Sequence, residues 1–376
     1  MPEALTTRLT AFAASLREAG AIRSDAVEQA FASVPRHQCV PEFRYGPQTI
    51  RVAQDQLPES EVLDIVYSHQ SLLTSTGRDG GLPSSSSAPP LMARMLEALE
   101  LEPGMRVLDI GAGTGYNAAL IATITGAPVH TIDADATTAH AAAESIRRLG
   151  LDHQVTVRRG DGYLGAPSGA PYDRIIITCG VAGLSPPWLD QLTPDGLILA
   201  PIAHGGVHPI LAARRHDGVH AKAALWADFM PAAGPLRPPE LVGHDPADYL
   251  APAPITRIPE ASPARTAATY DDLWFFLATR DDRITRAYLD DDSIDPSKGT
   301  CALHVPACGT AWVQIDGTIA AVGEAAVAAT LHTLIRAWEA TGQPELTQFT
   351  SSFAQVGSPQ QPLLTPRHWT LADVRC

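Results

Sequence analysis

Apolar positions in the first 40 residues recur at helical spacing. Leu5, Leu9, Phe12 and Leu16 share one helix face, and the prolines of VPRHQCVPEF close the helical stretch. From about Met92 short apolar runs alternate with Ala-rich helical stretches. MRVLDI precedes GYNAALIATI, and PVHTID precedes TTAHAAAESIRRLG; QVTVRRGDG, YDRIIITCG, PWLDQL and GLILAPIA follow. Strand–helix alternation of this kind specifies a parallel sheet covered on both faces.

Nine prolines between Pro231 and Arg265 erase the periodicity, as in a linker or an extended, wrapped connection. Beyond them LWFFLA, CALHVP and TAWVQIDGTIAAVG read as strands, the last folded into a hairpin at Asp316-Gly317. EAAVAATLHTLIRAWEATGQ reads as one helix stopped by Gly342 and Pro344, and TQFTSSFA and HWTLADV as further strands. Trp274, Trp312 and Trp338 are expected in the core of this part, and His204 of PIAHGG in a loop. The chain therefore divides into a helical N-terminal cap segment (1–78), an α/β core (79–230), a Pro-rich linker (231–265) and a smaller α+β domain (266–376) without a catalytic motif.

A length of 376 residues accommodates two domains. With 41 acidic against 27 basic residues the formal charge is −14, and no basic run appears. A nucleic-acid partner is not expected from such a chain, because that binding needs clustered Lys and Arg to displace counterions. Cys39, Cys179, Cys301, Cys308 and Cys376 are odd in number and scattered, which indicates neither a zinc ribbon nor a disulfide framework. Cys376, as the last residue, is misplaced for a prenylation signal. Arg8, Arg17 and Glu18 interrupt any signal-peptide core, and no apolar stretch reaches the roughly 18 residues of a membrane span. A cytoplasmic enzyme away from membranes is expected.

The chemistry is concentrated in VLDIGAGTGYNAALIA. A dinucleotide fingerprint would need a glycine where Tyr116 stands; the pattern is instead Asp109-x-Gly111-x-Gly113-x-Gly115. A strand, a glycine turn and a helix start leave free N–H groups suited to a carboxylate. Asp133 ends the next strand, where a carboxylate can accept from both hydroxyls of a ribose. Asp161 and Gly162 of GDGY follow another strand, placed to meet an adenine amine. Carboxylate, ribose and adenine together describe S-adenosyl-L-methionine. The expected fold is a Rossmann-like class I methyltransferase, and no metal is expected.

VPRHQCVP, SAPPLMARMLEAL, VLDIGAGTGY, GDGYLGAPSGAPYDRIIIT and WLDQLTPDGLILAPI occur in the order of the blocks of the protein-L-isoaspartate O-methyltransferase family, which residues 20 to 230 resemble. In that family the serine of the Ser-x-Pro block and the segment before it shape a pocket for an aspartyl-type carboxylate. The resemblance implies that role for Ser87 with its neighbour Ser86 and, more loosely, for Tyr67 and His69 of VYSHQSLL. His69 stands where the repair enzymes usually carry an acidic residue, and GRDGGLPSSSSAPP replaces a shorter, glycine-rich stretch.

The serine run and the long C-terminal extension also resemble the actinobacterial methyltransferases of ATP-grasp (graspetide-type) and FxLD peptide maturation. That likeness implies an aspartyl side chain of a ribosomally made peptide as substrate, closure of the ester to a succinimide (aspartimide), an ATP-grasp ligase as partner, and a C-terminal domain that recruits the peptide. A general isoaspartate repair enzyme is the alternative. A catalytically idle S-adenosylmethionine-binding partner of a maturase is a third reading, disfavoured by the intact motif set.

Overall fold

The computed structural model describes residues 3–76, 82–238, 241, 255–259, 261–287 and 299–372. GRDGG, residues 239–240, 242–254 and 260 of the Pro-rich connection, residues 288–298 and both ends of the chain lie outside the described residues. The chain opens with helices α1 (Glu3–Glu18) and α2 (Asp25–Ser33), the second capped by the Ser24 hydroxyl, which accepts from the Val27 amide. Leu5, Leu9, Phe12 and Leu16 are all buried, as their spacing requires.

Strands β1 (Glu42–Tyr45) and β2 (Gln48–Arg51) form a hairpin, and helix α3 (Ser60–Val66) leads to β3 (Leu72–Thr76) and β4 (Pro83–Ser86). These four strands make a small antiparallel sheet in the order β2-β1-β3-β4, so the serine run is an edge strand.

The α/β core follows: α4 (Pro89–Ala98), β5 (Val107–Ile110), α5 (Tyr116–Thr125), β6 (Val129–Asp133), α6 (Ala136–Arg148), β7 (Val155–Arg159), β8 (Tyr172–Ile177), α7 (Pro186–Asp190), β9 (Leu192–Pro201), β10 (Ile210–Arg215) and β11 (Val219–Leu225). The C-terminal part contributes β12 (Thr256–Ile258), α8 (Ala267–Arg280), β13 (Ile284–Ala287), β14 (Thr300–Val305), β15 (Gly309–Val313), β16 (Ile319–Gly323), α9 (Ala325–Ala340), β17 (Phe349–Gly357) and β18 (Pro362–Leu371).

Among the described residues the main sheet has nine strands in the order β18-β17-β11-β10-β9-β8-β5-β6-β7. β5 pairs in parallel with β6 on one side and β8 on the other, so the chain reverses direction across the sheet beside β5. A crevice outside the carboxyl ends of the strands at such a point is where open α/β sheets bind ligands. The remaining five C-terminal strands form an antiparallel sheet of their own, β12-β16-β15-β14-β13.

The C-terminal part is not strung on a tether. β17 pairs with β11 and so extends the main sheet. Leu108 and Ile110 of β5 and Ile175 and Ile177 of β8 share one apolar cluster with Leu273, Trp274, Phe275 and Trp338, whereas Val107 and Ile176 face the N-terminal helices. Residues beyond the Pro-rich stretch thus belong to the same apolar core as one face of the methyltransferase sheet. LWFFLA, expected as a strand, lies inside helix α8, whose capping box at Thr266 and Thr269 fixes its start. Leu273 to Leu277 are all buried there. A short apolar run buried on every side carries no period by which to tell helix from strand. The hairpin at Asp316-Gly317 joins β15 to β16, and Trp274, Trp312 and Trp338 are core residues.

Candidate active site

The carboxyl ends of β5, β6 and β8 open onto a cavity of about 540 Å3. Its floor is the glycine turn. Gly111, Gly113 and Gly115 all have positive φ (105°, 52° and 79°). A Cβ on Gly111 would stand 2.6 Å from the Thr178 hydroxyl, so the turn closes only with glycine there. Gly115 is the left-handed N-cap of α5. Asp133 ties the turn to β6, its Oδ2 accepting from the Gly113 amide at 3.1 Å and its Oδ1 from the Asp135 amide at 3.0 Å. Burial raises its pKa against the pull of these amides. Asp161 and Gly162 line the same cavity, and the Asp161 carboxylate also caps the turn that follows, accepting from the Tyr163 amide at 2.9 Å.

Asp109 and Tyr116 stand behind the floor and do not line the cavity. Asp109 is fully buried and accepts from the Thr131 hydroxyl at 2.7 Å and the Asn117 amide at 3.0 Å. Burial lifts its pKa to about 7, these two donors pulling the other way. Asn117, which does reach the cavity, carries no signal of its own in the sequence. Tyr116 packs edge-on against Phe31 at 6.1 Å, a contact that seats the N-terminal helices on the core.

The opposite wall is the serine strand. Ser84, Ser85, Ser86 and Ser87 all border the cavity, with Arg44 of β1 as its one Lys or Arg among the described residues. The Ser86 hydroxyl, however, is turned inward onto Arg36, a fully buried guanidinium. Arg36 donates from Nε to Ser86 Oγ at 3.2 Å, from Nη1 to the Val66 carbonyl at 2.7 Å, and from Nη2 to the carbonyls of Ser86 at 3.2 Å and Ser87 at 3.0 Å. Burial pulls its pKa down to about 10, so it remains charged at neutral pH. Sequence alone does not reveal this role, because the partners of Arg36 lie 30 to 51 positions away and VPRHQCVP gives no local cue.

Two expected pocket residues do not reach the cavity. Tyr67 is buried in an aromatic cluster, 5.2 Å from Phe12, and shares a 2.8 Å hydrogen bond with His37 Nδ1. His69 lies near the surface with its Nε2 3.0 Å from the Ser15 hydroxyl on α1. Both were placed by block order alone; the bend after α3 carries them to the α1 side. The far wall is the segment from Asp228 to Ala233, together with Thr178 and Cys179 after β8. Among the described residues no group of three metal-ligating side chains occurs.

A cradle only glycine can close, a carboxylate at the end of each of the next two strands and a crevice beside β5 define a class I S-adenosylmethionine-dependent methyltransferase. The family model for protein-L-isoaspartate(D-aspartate) O-methyltransferase matches residues 7–235, and the chain belongs to that family. It is an S-adenosylmethionine-dependent protein carboxyl O-methyltransferase.

Protein-L-isoaspartate O-methyltransferase of Thermococcus onnurineus is 36% identical over 191 residues, 50% of this chain and 74% of the relative. That of Pyrococcus horikoshii is 34% identical over 226 residues, 58% of this chain and 90% of the relative. A solved protein-L-isoaspartate O-methyltransferase aligns with a TM-score of 0.54 at 24% identity, covering 96% of this chain and 99% of its own. The C-terminal extension is therefore a fold that a protein so titled also has. No helix among the described residues is long and apolar enough to cross a membrane.

Proposed function

We propose that this enzyme methylates the free carboxylate of an isoaspartyl residue in polypeptides, the repair reading of its family. The observation that carries the proposal is the cavity itself, which sets the glycine turn, Asp133 and Asp161 against a wall of serine hydroxyls braced by a buried arginine. The cofactor fits these residues: the bare Gly111 and Gly113 backbone lines the cavity beside the Asp133 and Asp161 carboxylates, and the cavity size is ordinary for a small-molecule site. Asp133 is assigned to its ribose, the Gly111–Gly115 turn to its carboxylate and Asp161 with Gly162 to its adenine. When bound, it supplies a methyl group on a positively charged sulfur.

The chain's task is then orientation. A carboxylate with an ordinary pKa near 4 is anionic at neutral pH and needs no general base. Near-attack positioning can supply about 7–11 kcal/mol of the barrier. Ser85 and Ser87 are assigned to hold the substrate carboxylate by weak donors that leave it nucleophilic, and Arg44 to meet acidic groups at the mouth.

The narrower reading is an aspartate in one ribosomally made precursor, with the next backbone amide nitrogen attacking the ester carbonyl and expelling methanol. It keeps the support of the serine strand at the cavity. It loses the support of the C-terminal extension, whose fold recurs in a solved protein of the isoaspartate family. An ATP-grasp partner belongs to this narrower reading only. The test offers S-adenosylmethionine with an isoaspartyl peptide, its normal aspartyl twin and candidate precursors, and follows methyl transfer by mass. The proposal expects the isoaspartyl peptide to be the preferred acceptor.

A further inference from the structure

Asp228 lines the cavity, yet both its carboxylate oxygens are already engaged. Oδ1 accepts from His208 Nδ1 at 2.8 Å, and Oδ2 accepts from Nη1 of Arg286. Arg286 belongs to β13 of the C-terminal sheet, beyond the residues the family model matches.

His208 packs against the cavity wall in turn. A Cβ on Gly180 would stand 2.6 Å from the His208 ring, so the ring lies directly on the Gly180 backbone. Gly180 donates to the Met230 carbonyl at 2.9 Å and accepts from the Ala232 amide at 2.7 Å, which fixes the strip that closes the cavity. The loop before His208 is clamped from the same side: Trp274 Nε1 donates to the Gly205 carbonyl at 2.8 Å, and His204 Nε2 lies 3.1 Å from the Phe275 carbonyl.

We infer that Arg286 and Asp228 are positioning residues through which the C-terminal part sets the wall from Met230 to Ala232, and hence the affinity of the site for its cofactor. Asp228 acts here by holding Arg286 and His208 rather than by binding the cofactor. An isolated surface ion pair would do little. This one differs in that its carboxylate is shared with a histidine whose side chain is only 14% exposed and which bears on the wall.

The inference needs the cavity to be the cofactor site but not the identity of the methylated polypeptide. S-adenosylhomocysteine is therefore the probe, titrated calorimetrically into the full chain. Arg286→Leu and Asp228→Asn should each raise its Kd about tenfold at unchanged stoichiometry, and the double variant should be no worse than the weaker single one. Arg286→Lys, which keeps a cation for Asp228, should stay within about threefold of the parent. Asp133→Ala is the control for the cavity assignment. Should it weaken binding while Arg286→Leu and Asp228→Asn leave Kd within about twofold, the wall role is overturned. Additive losses in the double variant, or a fall in stoichiometry with Kd unchanged, overturn it equally. Asp228→Asn, the same shape as the parent, carries the test alone if Arg286→Leu does not fold.

Discussion

Arg36 grips Ser86 twice, from Nε to its hydroxyl and from Nη2 to its carbonyl, each at 3.2 Å. The serine strand is an edge strand, so its far side has no neighbouring strand to hold it. A buried cation surrounded by carbonyl oxygens supplies that support instead. Arg36→Met would leave the carbonyls of Val66, Ser86 and Ser87 without their donors, and each orphaned buried group costs about 1–3 kcal/mol. We expect a loss of about 2–5 kcal/mol in urea unfolding. Unfolding within about 1 kcal/mol of the parent would show that water or a neighbour replaces the guanidinium.

Removal of the Asp133 carboxylate acts on the cofactor. It deletes the proposed ribose acceptor and frees the Gly113 amide it now holds. Hydrogen bonds to a charged group contribute about 1.5–3 kcal/mol each, so Asp133→Ala should weaken S-adenosylmethionine binding by well over tenfold. Calorimetry on the folded variant checks this; an unchanged Kd would remove the ribose assignment.

The serines should separate by the direction their side chains take. All of these serines border the cavity, but the Ser86 hydroxyl is engaged by Arg36, so Ser86→Ala is expected to lower stability, whereas Ser85 lies on the alternate face of the strand. Ser85→Ala with Ser87→Ala should leave cofactor affinity near that of the parent and reduce kcat. Full kcat on an isoaspartyl peptide would make the strand a wall without a role in orientation.

How much of this could be read from residues alone depends on how local each signal is. The glycine turn and Asp133 were legible because cradle, strand end and spacing lie within one β-turn-α-β stretch, and each glycine is forced by its own backbone. Asp161 was legible for the same reason. Arg36 was hidden, since nothing beside it in sequence reveals that it will be roofed by Ser86 and Ser87. His69 and Tyr67 were misplaced for the converse reason: block order gives a neighbourhood, while the turn after α3 decides which side chain faces the cavity. The C-terminal part read as a tethered unit because prolines break periodicity. The pairing of β17 with β11 is long-range and leaves no mark at that boundary.

Asp109 makes stability depend on pH. Its folded pKa is raised from 3.8 to about 7 by burial, so the folded state holds the proton more tightly than the unfolded chain. This contribution is complete below about pH 4 and is lost as pH rises through about 7, with a slope of at most about 1.4 kcal/mol per pH unit. Asp109→Asn, which keeps a neutral amide in place, should flatten the fall in unfolding free energy between about pH 4 and 7, the window between those two values. An identical slope in parent and variant would mean that Asp109 is ionised throughout.

One competition separates isoaspartyl from aspartyl methylation. The full chain is given methyl-labelled S-adenosylmethionine and an equimolar mixture of an isoaspartyl peptide and its isomeric aspartyl twin, and the two methylated products, equal in mass, are resolved by reversed-phase chromatography against synthetic standards. A methyl ester is expected on the isoaspartyl peptide at a rate well above that on its twin. Ester on the aspartyl twin alone, or none on either while the enzyme binds the cofactor, would contradict that expectation.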